Sequence, residues 1–157
     1  MEKTFAMIKP DGVQRSLVGN IIARYEAKGL RVAGMKIMQV TEAQAAQHYA
    51  EHVEKPFYPA LEKYITSDVA YGMIVEGENA IDAIHDSNFM GSTRNPNPGT
   101  IRYEGFKLMN YLDRDPMING RENVAHSSDS VEAAQKEIAI FISLLQKENT
   151  TRTDKEL

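Results

Sequence analysis

At 157 residues and 17.6 kDa, with 42% hydrophobic residues, the chain has the size and apolar content of one domain around one core. It contains no cysteine, which excludes disulfides, thiolate catalysis and cysteine-based zinc sites. A net charge of −4 with dispersed Lys and Arg, no secretion-type leader and no membrane-length apolar run point to a cytoplasmic protein with neither nucleic acid nor membrane as partner.

Taken in chain order, Thr4 to Ile8 is a short apolar run, predicted as a strand that stops in a tight turn at Lys9-Pro10-Asp11-Gly12. Leu17, Ile21 and Tyr25 repeat at helical spacing until Gly29. Arg31 to Val40 alternates in part and reads as a half-buried strand. Thr41-x-x-Gln44 is a capping box that opens a helix running to about His52. Pro56 to Tyr64 is predicted helical, Val69 to Val75 a third strand, and Glu78 to about Phe89 a further helix. From Gly91 to Ala125 the periodicity disappears, and Pro96, Pro98, Gly99, Gly105, Pro116 and Gly120 predict a long ordered loop or a chain of turns. Asp129-x-x-Glu132 caps a short helix, Ile138 to Ile142 is the expected fourth strand, and residues 146–157 form a polar tail behind a domain of residues 1–145. The order matches an α/β (α+β) ferredoxin-like βαββαβ sandwich with a four-stranded antiparallel sheet and an extended loop.

Three motifs carry possible chemistry. Gly29-x-x-x-x-Gly34 is followed by Met35-Lys36 where a phosphate-binding loop needs Gly-Lys-Ser/Thr, so these glycines are read as structural. His48-Tyr49-Ala50-Glu51-His52 fits H-x-x-E-H, whose two imidazoles on one helix face could hold Zn²⁺ beside the Glu51 base; two solvated helix histidines are the commoner outcome of such a short pattern. In "NVAHSSDS", at Asn123 to Ser130, His126 lies just before a helix start, whose dipole disfavours the imidazolium and keeps the ring neutral and nucleophilic. Glu137 could accept the other ring N–H and fix the tautomer.

Four blocks then carry a resemblance: "TFAMIKPDGVQRSLVGNII" at Thr4, "HYAEHVEKPFYPAL" at His48, "NPGTIR" at Asn97 and "NVAHSSDSVEAAQKEI" at Asn123. Together they resemble the nucleoside diphosphate kinases, in that family's order and over most of the chain. The resemblance implies transfer of the γ-phosphoryl group from a nucleoside triphosphate to a nucleoside diphosphate by a ping-pong route through a phosphohistidine. His126 matches the nucleophile, and Glu137 and Ser128 match the residues that orient it. Lys9, Tyr49, Thr93, Arg102 and Asn123 match contacts to phosphate, ribose or the transferring group, while Phe57 and Leu61 match the pair that sandwiches the base. Mg²⁺ would ride on the nucleotide phosphates, and a homo-oligomer is implied. It also lowers the standing of the zinc hydrolase alternative built on His48, Glu51 and His52.

The chain departs from the family pattern at four places. Ser87 stands where the family has arginine, four residues before the glycine matched by Gly91, with Arg94 or Arg114 as possible substitutes. Ser127 replaces the glycine usual after the nucleophile. The stretch from Thr93 to Pro98 is about two residues short, and the stretch between Arg102 and His126 about eleven residues long, against the family pattern. The missing arginine is the main support for an alternative reading, a nucleotide-binding member that has lost catalysis.

Overall fold

The computed structural model describes residues 1–93, 95–111 and 123–142; Arg94, residues 112–122 with Arg114 among them, and the C-terminal tail lie outside the described residues. Four antiparallel strands, β1 (Glu2–Ile8), β2 (Arg31–Met38), β3 (Ala70–Gly77) and β4 (Ala125–Ser127), form one sheet in the order β2-β3-β1-β4. This is the strand order of a ferredoxin-like sandwich, with β1 in the interior of the sheet.

The residues of β1 alternate between two apolar layers because successive side chains point to opposite faces of a strand. Ala6 and Ile8 pack with Ile21 and Tyr25 of α2 (Val18–Ala27) and Ile84 of α5 (Ala80–His85). Phe5 and Met7 pack on the other face with Ala45 of α3 (Glu42–His48), Ile65 of α4 (Tyr58–Ile65) and Phe141 of α8 (Val131–Phe141). With both faces covered, β1 fixes its register on each side. It therefore makes a rigid platform for whatever follows Ile8.

Several expectations hold in atomic detail. Thr41 and Gln44 make both bonds of the capping box at the start of α3. At the end of α2, Gly29 has φ 84° and donates to Glu26, while Leu30 donates to Tyr25, the paired bonds of a Schellman motif.

Others are corrected. The expected turn at Lys9 is a short helix, α1 (Pro10–Gln14), because Pro10 is pre-set for a first helical position and Val13 N–H reaches the Lys9 carbonyl at 3.1 Å. α3 stops at His48, four residues before the expected end. The helix expected over 78–89 is broken at Asp86, whose carboxylate accepts from Asn88 N–H and starts α6 (Ser87–Met90).

The supposed loop contains a helix, α7 (Ile101–Tyr111). Its Gly105 looks like a break, yet the glycine is there for close packing: a Cβ would lie 2.0 Å from Val124 Cγ2. Most consequential, Ile138–Ile142 is not the fourth strand. Ala134, Ile138 and Phe141 share one face of α8, and the fourth strand is Ala125–Ser127, too short to show a period. Nor does Asp129 cap α8; Ser130 Oγ does, accepting from Ala133 N–H at 3.1 Å.

Candidate active site

β4 pairs with β1 so that His126 lies opposite Met7, next to the β1 end at which Lys9 begins α1. His126 Nε2 is 2.6 Å from Glu137 Oε1, and the same oxygen accepts from Ser128 Oγ at 3.0 Å. The His126 side chain is 25% exposed against 7% for Glu137, so the nucleophile candidate faces solvent while its partner is enclosed. With Nε2 held by the carboxylate, Nδ1 is the ring nitrogen left to present a lone pair.

The turn before β4 is unusual. Val124 has φ +73°, a sparsely populated backbone for a β-branched residue, and Ala125 N–H reaches back to the Asn123 carbonyl at 2.8 Å. Such a conformation costs on the order of 1–3 kcal/mol and must be held from outside. Asp11 holds it: its Oδ2 accepts from Val124 N–H at 3.0 Å and from Arg15 at 2.7 Å, and its Oδ1 accepts from the Tyr64 hydroxyl. Lys9 N–H donates to the Val124 carbonyl at 2.9 Å, and Gly12 leaves the room for it, since a Cβ there would lie 2.7 Å from that oxygen.

A cavity of about 340 Å³ opens over these groups, lined by Lys9, Tyr49, Arg102, His126 and Glu137 among others. Lys9 Nζ donates to Asn123 Oδ1 at 2.8 Å. Arg102 donates to the carbonyls of Asn123, Gly91 and Ala125 at 2.8–3.1 Å, so it clamps the His126 turn as well as facing the cavity. Burial, with Arg102 close by, pulls the Lys9 ammonium down to about 8, and burial pulls Arg102 down to about 10. Both cations are held in place at an electrostatic cost that an anionic ligand would relieve. Tyr49 is pushed up to about 12 by burial and by Glu137, so its hydroxyl stays protonated.

The His48 ring meets the His126 ring edge-on, 4.8 Å between centroids, and burial with the neighbouring His126 and Lys9 lowers it to about 3. It is a neutral wall. His48 and His52 do not share a helix face, because α3 ends between them; His52 Nδ1 lies 3.0 Å from Lys55 Nζ instead. Among the described residues, the one cluster able to gather on a metal is His48, His126 and Glu137, which uses neither Glu51 nor His52.

Ser128 is fully buried behind His126, and Asn123 reaches the cavity through Lys9. Phe57, 40% exposed, and Leu61, 7% exposed, lie one turn apart at the start of α4, and Thr93 is exposed; none of the three lines the cavity. Ser87 opens α6, is exposed and is likewise outside the lining, whereas His85, two residues earlier, is in it. Sequence reasoning missed Asp11, Val124 and His85. Asp11 could have been suspected from its place in the Lys9-Pro10-Asp11-Gly12 block, but nothing in the sequence marks the positive φ of Val124.

A family model described as nucleoside diphosphate kinase matches residues 2–146. The chain is 48% identical over 143 residues to a nucleoside diphosphate kinase of Bacillus cereus, covering 90% of this chain and 88% of the relative. It is 46% identical to one of Thermus thermophilus, covering 90% and 95%. Among solved structures it is similar to a halophilic nucleoside diphosphate kinase from Halobacterium salinarum in complex with CDP, at TM-score 0.75 and 38% identity over 90% of this chain and 88% of that one.

Proposed function

The chain belongs to the nucleoside diphosphate kinase family and is a phosphotransferase, and from that premise we propose that Nδ1 of His126 relays a phosphoryl group between two nucleotides in one cavity. In the first half-reaction the Nδ1 lone pair forms a bond to the γ-phosphorus of a nucleoside triphosphate as the bond to the bridging oxygen breaks, releasing the diphosphate. In the second, a terminal oxygen of another nucleoside diphosphate takes the phosphorus back and restores the imidazole. The observation that carries this reading is the 2.6 Å bond from His126 Nε2 to the enclosed Glu137, which leaves Nδ1 as the nucleophilic ring nitrogen of a residue that lines one cavity with Lys9 and Arg102.

Each neighbour has a role that follows from its chemistry. Glu137 and Ser128 fix the tautomer and the ring orientation, and Glu137 stabilises the positive charge that develops when Nδ1 attacks. Lys9 and Arg102 face the charge spread over the phosphoryl oxygens, the main demand of such a transfer. The hydroxyl of Tyr49, kept protonated, donates to phosphate, and Asn123 holds Lys9 on target. Phe57 offers an open aromatic face to the base, with Leu61 beside it and Thr93 toward the phosphate chain. Contacts of that kind read the shape of a base and not its edges, so broad nucleotide tolerance follows.

Members of this family generally work with a divalent metal and nucleotides. Mg²⁺ enters as part of the nucleotide substrate: among the described residues the carboxylates lining the cavity are Glu51, Asp129 and Glu137, the last already engaged by His126 and Ser128, and these do not make an oxygen cage for a hard cation. A cytoplasmic setting fits, and no described helix is long and apolar enough to cross a membrane. Edge strand β2 exposes Met35 and Ile37, at 43% and 59%, as apolar surface that assembly into a homo-oligomer would cover.

Initial rates with MgATP varied at several fixed GDP concentrations test the relay. Parallel double-reciprocal lines are expected, because donor and acceptor use the site in turn. Intersecting lines would mean that both nucleotides bind at once and would remove the covalent route.

The Lys9 environment gives a further expectation. Activity that needs the ammonium form is lost as pH rises through the lowered value, so kcat/KM should fall above about pH 8. Bound polyphosphate favours the charged form, so kcat should hold to higher pH. For stability the sign is opposite: with a folded value near 8 against 10.5 unfolded, the buried ammonium penalises folding below about pH 8, and the penalty is relieved between the two. A pH profile of kcat/KM that stays flat to pH 10 would remove Lys9 from the charge-bearing role.

A further inference from the structure

One of the places where this chain departs from its family pattern, Ser127, lines the cavity and meets the end of α5 there. α5 ends at His85, which is exposed and lines the cavity, and its Nδ1 is 3.2 Å from Ser127 Oγ. Ser127 is 4% exposed and follows His126 on β4, at the position where the family usually has glycine and so no hydroxyl. Ser87, the residue in register with the missing arginine, stands outside the lining. We propose that His85 is a phosphate-contacting residue of this chain, positioned by Ser127 so that Nε2–H is presented to the nucleotide phosphate chain alongside Lys9 and Arg102. The inference rests on the kinase reading above and adds to it the group that takes over from the absent arginine.

The Ser127 bond is what makes the imidazole a dependable donor. An anionic oxygen at Nε2 selects the neutral tautomer that carries its hydrogen there, and the Ser127 hydroxyl then donates to Nδ1. When the ring is protonated, Nδ1–H donates to the hydroxyl oxygen, and Nε2–H is again available. Either state therefore offers a donor to an anionic oxygen. A glycine at position 127 would leave Nδ1 without this partner and the ring without its anchor. The need for such a donor is visible beside it: Arg102 has three N–H groups engaged on the carbonyls of Gly91, Asn123 and Ala125, and Lys9 has one on Asn123. An exposed side chain at the end of a short helix adds a phosphate contact without disturbing that clamp.

The experiment compares wild type with His85→Ala, His85→Arg, Ser127→Gly and the His85→Arg/Ser127→Gly pair, using MgATP and GDP for kinetics and ADP for calorimetric binding. His85 is exposed, so its variants retain the fold. His85→Ala should lose about ten- to hundredfold in kcat/KM, the range for one hydrogen bond to a charged group, and should bind ADP more weakly. His85→Arg should restore most of the loss. Ser127→Gly should lose several-fold, chiefly through KM, and this loss should vanish in the His85→Arg background, since a guanidinium needs no hydroxyl to set its donors; a merely structural Ser127 would cost the same in both. ADP affinity and kcat/KM of His85→Ala within twofold of wild type would overturn the contact. Wild type that binds ADP but never turns over would overturn the kinase reading instead, and the His85 contact would then stand or fall on ADP affinity alone.

Discussion

Replacing His126 with alanine lowers turnover by at least about 10⁴-fold, within the range seen when a covalent catalyst loses its nucleophile, while ADP affinity changes little. The two effects separate because the cations and the base platform are independent of the imidazole. Lys9 is held by Asn123, Arg102 by three backbone carbonyls, and Phe57 stands at the N-terminus of α4. The residual rate reports what positioning and charge alone supply. Glu137→Gln should fall between wild type and this variant, because the amide can hold the ring but cannot balance the charge that develops on it. Steady-state assays beside ADP calorimetry check the separation; a His126→Ala protein with more than a tenth of wild-type turnover would place the chemistry elsewhere.

Asp11→Asn has the largest effect expected on stability. Asp11 is buried, and its carboxylate receives Val124 N–H, Arg15 and the Tyr64 hydroxyl, so one side chain ties α1, α4 and the strained turn together. The Arg15 and Asp11 side chains are 4% and 3% exposed, so solvent offers little replacement for a lost charge partner. Breaking a buried ion pair from one side costs about 3–5 kcal/mol. For a chain of this size that corresponds to a fall of roughly 10 °C in Tm. The damage extends to catalysis, because Val124 is two residues before His126 and its N–H must then compete with Arg15 and the Tyr64 hydroxyl for the single amide oxygen. Tyr64→Phe, which removes one neutral donor, should cost only about 1 kcal/mol. Thermal and denaturant unfolding of both variants measure this; equal Tm values for wild type and Asp11→Asn would show that the turn is held by packing on Gly12 and Gly105 alone.

Much of this arrangement was legible in the residues. Strands β1 to β3 and helix α2 carry their own patterns, Thr41 and Gln44 announce a helix start, and the resemblance groups His126, Glu137, Ser128 and Lys9 into one site. What escaped had local signals too short or too ambiguous. β4 has three residues, and no alternation can be read from three; the apolar run chosen in its place is the buried stripe of α8, which at short length looks the same as a strand. α7 was hidden by Gly105, whose reason for being glycine is the contact with Val124, far away in the sequence. Asp11 and His85 matter through partners 113 and 42 residues away. Local patterns cannot show pairings of that length.

The most direct measurement of the central claim is to label the protein with γ-³²P-labelled MgATP, isolate it, digest it under alkaline conditions and identify the phosphorylated atom. The account predicts an acid-labile, alkali-stable label on His126, carried on Nδ1 because Glu137 holds Nε2, that passes to GTP when unlabelled GDP is added to the undigested protein. A label on another residue or on Nε2, or steady turnover with no labelled protein at any time, would contradict it.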